Sequence, residues 1–274
     1  MAQGGYVNNG KRPHVLIATP MYGGQCVGYY TQSMVALPNI LQANNIDMSY
    51  TAMFNESLIQ RGRNLLAQQF LKSEATHMMF IDADMTFEPE SILRLLAWNQ
   101  KKGIVAGAYE SRKPGKIYIL SLDGGEGVYG KQNSISMDGM GLVKAYRVAT
   151  GFMMIQRQVF EKLRDAHPEW KHKDSLEGND ELYSFFDFKV TPEGYIGEDF
   201  LFCDRARAEG FDPEGIINHI RRSFEVGHFG PLENVRLLKA KYLRLADGEV
   251  VPIFERDPIY ILEHNIERSA HRLE

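Results

Sequence analysis

The 274-residue sequence contains few cysteines, no long hydrophobic run and no large excess of either charge. Its two cysteines, Cys26 and Cys203, are too few for a framework of disulfides, so a reducing compartment is the default expectation. Residues 1–13 lack the apolar core of a signal peptide, and no apolar run elsewhere is long enough to cross a bilayer. We therefore expect a cytoplasmic protein without a stable membrane anchor.

The formal net charge is only -4. It gives no general electrostatic argument for binding nucleic acid or a membrane surface, although it permits a local basic patch. Hydrophobic residues make up 44% of the chain and charged residues 24%, as in an ordinary globular protein. We expect a flexible start at residues 1–12, a main domain at 13–232, and a helical extension at 233–274 that packs on that domain.

The first 110 residues alternate between buried strands and amphipathic helices. Strands are predicted at residues 14–19, 46–54, 78–81 and 103–109, with Pro20 stopping the first of them. Helices are predicted at residues 30–43, 57–71 and 88–98. In the second helix Leu58, Leu65, Leu66 and Phe70 share one face, and Arg61 and Arg63 lie elsewhere. This order predicts an α/β fold with a doubly wound sheet flanked by helices.

The pattern is less regular after residue 110. Residues 111–142 are rich in glycine, serine and lysine and predict a loop region with a hairpin. Further strands, which make the sheet a mixed one, are predicted at residues 142–148, 151–155, 183–190 and 216–217. Helices are predicted at residues 158–166, 197–210 and 233–245, and a loop at 167–182.

Two aspartates, Asp82 and Asp84, follow the apolar strand at residues 78–81. Ligands of open α/β sheets bind at the carboxyl ends of strands, where these side chains are expected to lie. Two neighbouring carboxylates repel each other unless a cation lies between them. Mg²⁺ and similar ions take one or two carboxylates together with substrate phosphates. The motif therefore suggests a metal site for a nucleotide diphosphate, although an acidic surface turn is the simpler interpretation of the motif alone.

Six further motifs occur in a definite order around this one. They are Thr19-Pro-Met-Tyr-Gly-Gly24, Arg61-Gly-Arg-Asn64, Gly107-Ala-Tyr109 with Arg112-Lys113, Ala149-Thr-Gly151, Glu198-Asp199 and His228-Phe-Gly230. Their order, over residues 13 to 232, resembles the metal-dependent GT-A glycosyltransferases, in particular family-2-like enzymes of bacteria and phages. A phage enzyme would act in the host cytoplasm.

The resemblance implies a reaction and the groups that carry it. GT-A enzymes move a sugar from a nucleotide-diphosphate donor, here expected to be a UDP-sugar, to an acceptor hydroxyl. By resemblance, Asp82, Asp84 and His228 bind Mn²⁺ or Mg²⁺. Asp199, with Glu198 beside it, is the base that deprotonates the acceptor, which favours an inverting displacement. Without the resemblance, Glu198 and Asp199 would complement a helix dipole and His228 would be a surface residue.

The resemblance also implies two further sets of contacts. The donor nucleotide is expected to contact Thr19, Pro20, Tyr22, Arg63, Asn64, Asp82 and Ala83. Tyr22 is suited to stacking on uracil, and Arg63 to phosphate or base edges. The donor sugar or the acceptor is expected to contact Tyr109, Lys113, Thr150 and Gly151. Alternatively, one of the two arginines, Arg61 or Arg63, lies on a solvated helix face, and the remaining residues are ordinary loop residues.

Two rival functions stay open. A nucleotidyltransferase that makes nucleotide sugars would need a basic, glycine-rich loop after the first strand to hold a triphosphate. The loop at residues 21–28 contains neither lysine nor arginine, which counts against that enzyme class. A GT-like fold kept as a binding module is the other rival. The acceptor, whether glycan, lipid, protein or modified nucleic-acid base, is not specified by the sequence, nor is the oligomeric state.

Overall fold

A computed structural model describes residues 12–109, 120–121, 142–173, 181–192, 194–217, 221–222, 242–244 and 250–252. Its main sheet contains β1 His14–Met21, β2 Asp47–Phe54, β3 His77–Ile81, β4 Ile104–Ala108, β5 Leu142–Lys144, β6 Phe152–Gln156 and β7 Glu214–Ile217. The α-helices of the described residues are α1 Gly28–Ala43, α2 Ile59–Lys72, α3 Glu90–Lys102, α4 Arg157–Ala166 and α5 Glu198–Ala208. The predicted mixed α/β fold, with helices flanking the sheet, is confirmed.

The strands of the main sheet lie in the order β2-β1-β3-β6-β4-β7-β5. Strand β1 pairs in parallel with β2 and with β3, and β4 pairs in parallel with β7. Strand β6 is antiparallel to both of its neighbours, β3 and β4, and β5 is antiparallel to β7. Strand β6, the sixth of the seven along the chain, therefore lies in the middle of the sheet.

Helices cover both faces of the sheet. Successive residues of a strand point to opposite faces, so each strand contributes apolar side chains to two cores. In β1, Leu16 and Ala18 face the core made with α2, α4 and α5, whereas Val15 and Ile17 face the core made with α1 and α3. A strand buried on both sides reads as a continuous apolar run, as β1 and β3 do.

The chain reverses its direction of winding at β1, since β2 lies on one side of this strand and β3 on the other. Such a switch point leaves a crevice outside the carboxyl ends of the strands, where ligands of α/β sheets bind. The backbone N–H of Val27, after β1, donates a hydrogen bond to the carbonyl of Ala83, after β3, at 3.0 Å. The two loops that border the crevice are therefore joined.

Strand β1 continues through Pro20 to Met21, so the prediction that Pro20 stops the strand is wrong. The pairing of β1 with β3 ends at Ala18, whereas its pairing with β2 runs on to Met21. Proline lacks a backbone N–H, but past Ala18 the strand has only one neighbour to pair with.

The predicted strand at residues 183–190 is also wrong. Phe185 and Phe186 are consecutive and both fully buried, which an alternating strand does not allow. Residues on either side form two separate hairpins, Lys171–Lys173 with Glu181–Tyr183, and Lys189–Thr191 with Gly194–Ile196. The first hairpin and a short 3-10 helix, Pro168–Trp170, replace part of the loop predicted at 167–182.

Two other predictions are tested only in part. Residues 142–148 form two strands, β5 and Arg147–Val148, and the latter pairs with Leu120–Ser121. Most of residues 111–142 lies outside the described residues. Tyr242–Arg244 pairs with Val250–Pro252, so the helix predicted at 233–245 is wrong at its end, and the rest of it lies outside the described residues.

Within the described part of the chain, no helix is both long enough and apolar enough to span a bilayer.

Candidate active site

The two aspartates lie where the sequence predicts, just past the end of β3. The backbone N–H of Asp82 donates to the carbonyl of Gly151 at 3.0 Å, and the backbone N–H of Met85 donates to the carbonyl of Asp82 at 3.0 Å. The second bond closes a tight turn around Asp84, which is buried. Neighbouring strands and this turn together fix both carboxylates at the switch point of the sheet.

Arg63 of α2 connects the aspartate turn to α5. Its Nη2 donates to Asp82 Oδ1 at 3.0 Å, and its Nε lies 3.4 Å from Glu198 Oε1. The guanidinium lies over the ring of Phe80, 5.2 Å from the ring centre, and the side chain is only 3% exposed. Burial disfavours its charge, but Asp82 and Glu198 outweigh burial and hold the pKa of Arg63 above its ordinary value.

Asp199 is placed in the first turn of α5, next to Glu198. Its Oδ1 accepts a hydrogen bond from the backbone N–H of Phe200 at 2.7 Å. Burial and the negative charge of Glu198 raise the pKa of Asp199 to about 7, and Arg63 opposes this rise. A carboxylate whose pKa is near 7 is a stronger base than an ordinary one, and a large fraction of it is still ionised at neutral pH. These are the two properties that a general base needs.

Tyr109, Gly151 and Asp82 meet on the other side of the aspartate turn. The backbone N–H of Gly151 donates to Tyr109 Oη at 3.0 Å. A side chain at position 151 would place its Cβ 2.3 Å from Tyr109 Oη and 3.0 Å from Asp82 Oδ2. Glycine is therefore required here by the close approach of Tyr109 and Asp82, a reason that applies whether or not a ligand binds.

We predict that Gly151→Ala lowers activity by displacing Tyr109 and the Asp82 carboxylate. The added methyl group overlaps Tyr109 Oη and Cζ, and overpacking of this kind costs about 1–3 kcal/mol of unfolding free energy. The double change Gly151→Ala with Tyr109→Phe removes the hydroxyl from the closest contact and should recover part of that loss in urea unfolding. Equal unfolding midpoints for Gly151→Ala and the unchanged protein would contradict this account.

Two residues expected at the nucleotide have other partners in the structure. Both polar atoms of the Asn64 amide bond to the backbone of Phe186, with N–O distances of 2.9 Å and 2.9 Å. The hydroxyl of Thr19 is buried and lies 2.6 Å from Tyr30 Oη. In the described contacts these side chains position the protein chain, and their contact with a nucleotide stays a prediction.

Other predicted site residues differ in how the structure places them. Tyr22 is exposed in the loop after β1, and Pro20 and Ala83 are partly exposed on either side of the crevice. Thr150 is buried beside Gly151. Lys113 and His228 lie outside the described residues.

The prediction that Arg63 lies away from the apolar face of α2 is wrong. It is buried on α2 together with Leu66, Ala67 and Phe70, which follow it at i+3, i+4 and i+7. That spacing places Arg63 on the apolar face and was available in the sequence. Leu58, which was expected on the same face, is exposed at the start of the helix.

The carboxylates suit a hard divalent cation. Oxygen donors from one or two carboxylates, completed by substrate phosphates, are the ligands that Mg²⁺ prefers and that Mn²⁺ accepts. Asp84 and Asp82 would supply these donors. Among the described residues, no three His, Cys, Asp or Glu side chains are grouped so as to hold a metal ion by themselves.

No protein-family model matches the sequence, and no curated protein matches it. The chain is similar to a crystal structure of S. aureus TarS 1–349, with 12% identity and a TM-score of 0.40, over 76% of this chain and 60% of that chain.

A second crystal structure, of S. aureus TarS 1–349 in complex with UDP-GlcNAc, is similar with 11% identity and a TM-score of 0.41, over 82% of this chain and 62% of that chain. This chain therefore spans about three fifths of the length of the TarS chains that it matches. At this level of similarity, the reaction and the ligands of TarS do not carry over to this chain.

Proposed function

We propose that the chain is a glycosyltransferase that moves a sugar from a UDP-sugar to an acceptor hydroxyl. The observation that supports this most directly is the bridge from Asp82 through Arg63 to Glu198. It brings two pairs of carboxylates to one crevice. Asp82 and Asp84 are suited to binding a metal ion, and Glu198 and Asp199 are suited to acting as a base. A donor diphosphate and an acceptor hydroxyl need these two kinds of group side by side.

The donor would lie across the switch point of the sheet. Asp84 and Asp82 would hold Mn²⁺ or Mg²⁺, which lowers the cost of the negative charge that develops on the leaving diphosphate. Tyr22, exposed after β1, would stack on the base. Arg63 Nη1 is buried without a hydrogen-bond partner among the described residues, which favours a polar ligand in contact with it.

His228 is proposed as the third metal ligand. The described backbone of Arg221–Arg222 pairs with Met85–Thr86, directly after Asp84. Five residues lie between Arg222 and His228, so the two Cα atoms are at most about 20 Å apart in a fully extended chain. Arg221–Arg222 thus lies beside the aspartate turn and within chain reach of His228, which supports a place for His228 in the metal site.

The proposed step is an inverting displacement. The acceptor oxygen forms a bond to the anomeric carbon while its proton passes to the carboxylate of Asp199. The bond from the anomeric carbon to the diphosphate oxygen breaks, and its electron pair stays on that oxygen. Arg63 holds Glu198, which in turn lies beside Asp199, so the base is fixed relative to Asp82 on the donor side.

The first test is thermal stability of the protein with UDP, UDP-glucose and UDP-GlcNAc, with and without Mn²⁺. A ligand that binds only the folded state adds about 2.7 kcal/mol to the unfolding free energy at a hundred times its Kd. We expect a rise in melting temperature that requires Mn²⁺ and is lost in Asp84→Ala. Asp165→Ala, which removes an exposed carboxylate on α4, should keep the rise.

Three outcomes would contradict the proposal or its site. A Mn²⁺-dependent rise that persists in Asp84→Ala would remove Asp84 from the metal site. Binding of a UDP-sugar without any Mn²⁺-dependent hydrolysis of it, in the absence of an acceptor, would indicate a binding module. A rise with a nucleoside triphosphate alone would instead favour a nucleotidyltransferase.

A further inference from the structure

A small hairpin with exposed aromatic side chains stands directly before the proposed base. Its strands are Lys189–Thr191 and Gly194–Ile196. Val190 and Tyr195 are opposite each other in the register, and Phe188 precedes the first strand. The rings of Phe188 and Tyr195 stack with their centres 5.5 Å apart and an angle of 19° between them. We call residues 188–192 and 194–196 the aromatic hairpin.

The apolar face of the aromatic hairpin is open to solvent. Phe188 is 49% exposed and Tyr195 is 57% exposed, and Val190 between them is exposed as well. Exposed aromatic rings that stack on each other outside a core are costly to leave in water. Such rings are typical of binding surfaces, because they provide a large, rigid apolar contact.

The base of the hairpin is held firmly. Asn64 binds the backbone of Phe186 through both of its polar atoms. Arg205 of α5 donates to the carbonyls of Ser184 and Phe185 at 2.6 Å and 3.0 Å, and its Nη2 lies 3.7 Å from Asp187 Oδ2. The exposed rings are therefore carried on a rigid support that is bonded to α2 and α5, the helices that also carry Arg63 and Asp199.

The hairpin is also close to the base along the chain. Only Ile196, Gly197 and Glu198 separate Tyr195 from Asp199, so the two Cα atoms are at most about 14 Å apart. A substrate with its reacting hydroxyl at Asp199 would need to extend by only a short oligosaccharide to reach the rings. The aromatic face therefore lies within reach of a glycan acceptor held at Asp199.

We propose that the aromatic hairpin is an acceptor subsite that binds a sugar ring of a glycan, an inference that rests on the proposed function. The apolar C–H face of a pyranose packs on an aromatic ring, while its hydroxyls need polar partners around the ring. Asp187, whose Oδ1 accepts the backbone N–H of Phe188 at 2.8 Å and whose side chain is 45% exposed, provides one such partner. Among the described residues, the apolar face consists of Phe188, Val190 and Tyr195, an area that suits one sugar ring better than a lipid chain or an amphipathic helix.

The test uses the full chain and saturation-transfer NMR with maltotetraose, cellotetraose and chitotetraose as probes. We expect at least one of them to bind, and to bind about tenfold more weakly to Phe188→Ala with Tyr195→Ala. The variant Phe188→Tyr with Tyr195→Phe keeps both rings and should keep the affinity. Val35→Ser removes an exposed apolar side chain on α1, where Val35 is 71% exposed, and should leave binding unchanged.

Several results would overturn the proposal. Equal binding of the probe to the double-alanine variant and the unchanged protein would exclude the hairpin as the subsite, as would no binding of any probe. Loss of binding to phosphatidylglycerol vesicles in the same variant, without any oligosaccharide binding, would assign the face to lipid instead. A failure of the proposed function itself would show separately, as an absence of UDP-sugar binding by the unchanged protein in Mn²⁺.

Discussion

Asp199→Asn is expected to lower the rate of sugar transfer by roughly 10²- to 10⁴-fold, the usual contribution of a general base. Asparagine has the same shape and can still accept the backbone hydrogen bond from Phe200, but it cannot take the proton of the acceptor hydroxyl. The measurement is kcat and KM for transfer at pH 8. Asp212→Asn makes the same chemical change at an exposed ion pair with Arg207 and should leave both constants unchanged.

The same residue determines the expected dependence of the rate on pH. Because the pKa of Asp199 is raised to about 7, the rate should fall tenfold per pH unit below that value and level off above it. A profile that stays flat between pH 5 and 8, or an Asp199→Asn enzyme with full activity, would contradict the role of Asp199 as the base.

The stability of the Asp199→Asn variant relative to the unchanged protein should change with pH in a defined direction. Below the ordinary pKa of 3.8 the carboxyl is protonated in the folded and the unfolded chain alike. Between 3.8 and about 7 the folded chain retains a proton that the unfolded chain has lost, so the unfolding free energy of the unchanged protein falls as pH rises. Asparagine does not titrate, so the variant should gain in relative stability up to about pH 7.

Arg63→Met is expected to cost about 3–5 kcal/mol of unfolding free energy, because it leaves largely buried carboxylates without their cation. Asp82, Glu198 and Asp199 all interact with this guanidinium. Loss of the bridge should also lower kcat strongly. Urea unfolding gives the first quantity, and transfer kinetics at a temperature where the variant is folded give the second.

The control for Arg63→Met is Arg157→Met. Arg157 also lies over a phenylalanine, with its guanidinium 4.6 Å from the Phe70 ring centre, but it donates chiefly to the carbonyls of Phe70, Ser73 and Ala75. Its loss should destabilise the fold without changing the pH profile. Arg63→Lys keeps the cation and should keep the acidic limb, whereas in Arg63→Met the limb should shift to higher pH, because Arg63 lowers the pKa of Asp199. An unchanged limb in Arg63→Met would reduce Arg63 to a purely structural residue.

The first half of the fold could be predicted from the sequence because its strands are buried on both sides. Such strands read as apolar runs of strand length, and turn residues mark where they end. The same pattern of apolar residues wrongly predicted a strand at residues 183–190, because Phe185 and Phe186 are held in the core by contacts with distant elements. Asn64, 122 residues away, binds the backbone of Phe186, and no local pattern reports such a contact.

The candidate site was predictable in its residue types but only partly in its contacts. The strand pattern placed Asp82 at a carboxyl end, and the helix pattern placed Glu198 and Asp199 in a first turn. The bridge through Arg63 could not be predicted, since Arg63 and Glu198 are 135 residues apart. Only the tertiary fold determines that α2 and α5 pack on the same face of the sheet.

The central position of β6 affects how the protein is made on the ribosome. Until Gln156 has emerged, β3 and β4 each lack the partner that separates them in the finished sheet. At a synthesis rate of roughly 5–20 residues per second, both edges stay open to other chains for on the order of a few seconds. Gly151, which binds Asp82, emerges just before β6, so the aspartate turn becomes fixed only when the sheet closes.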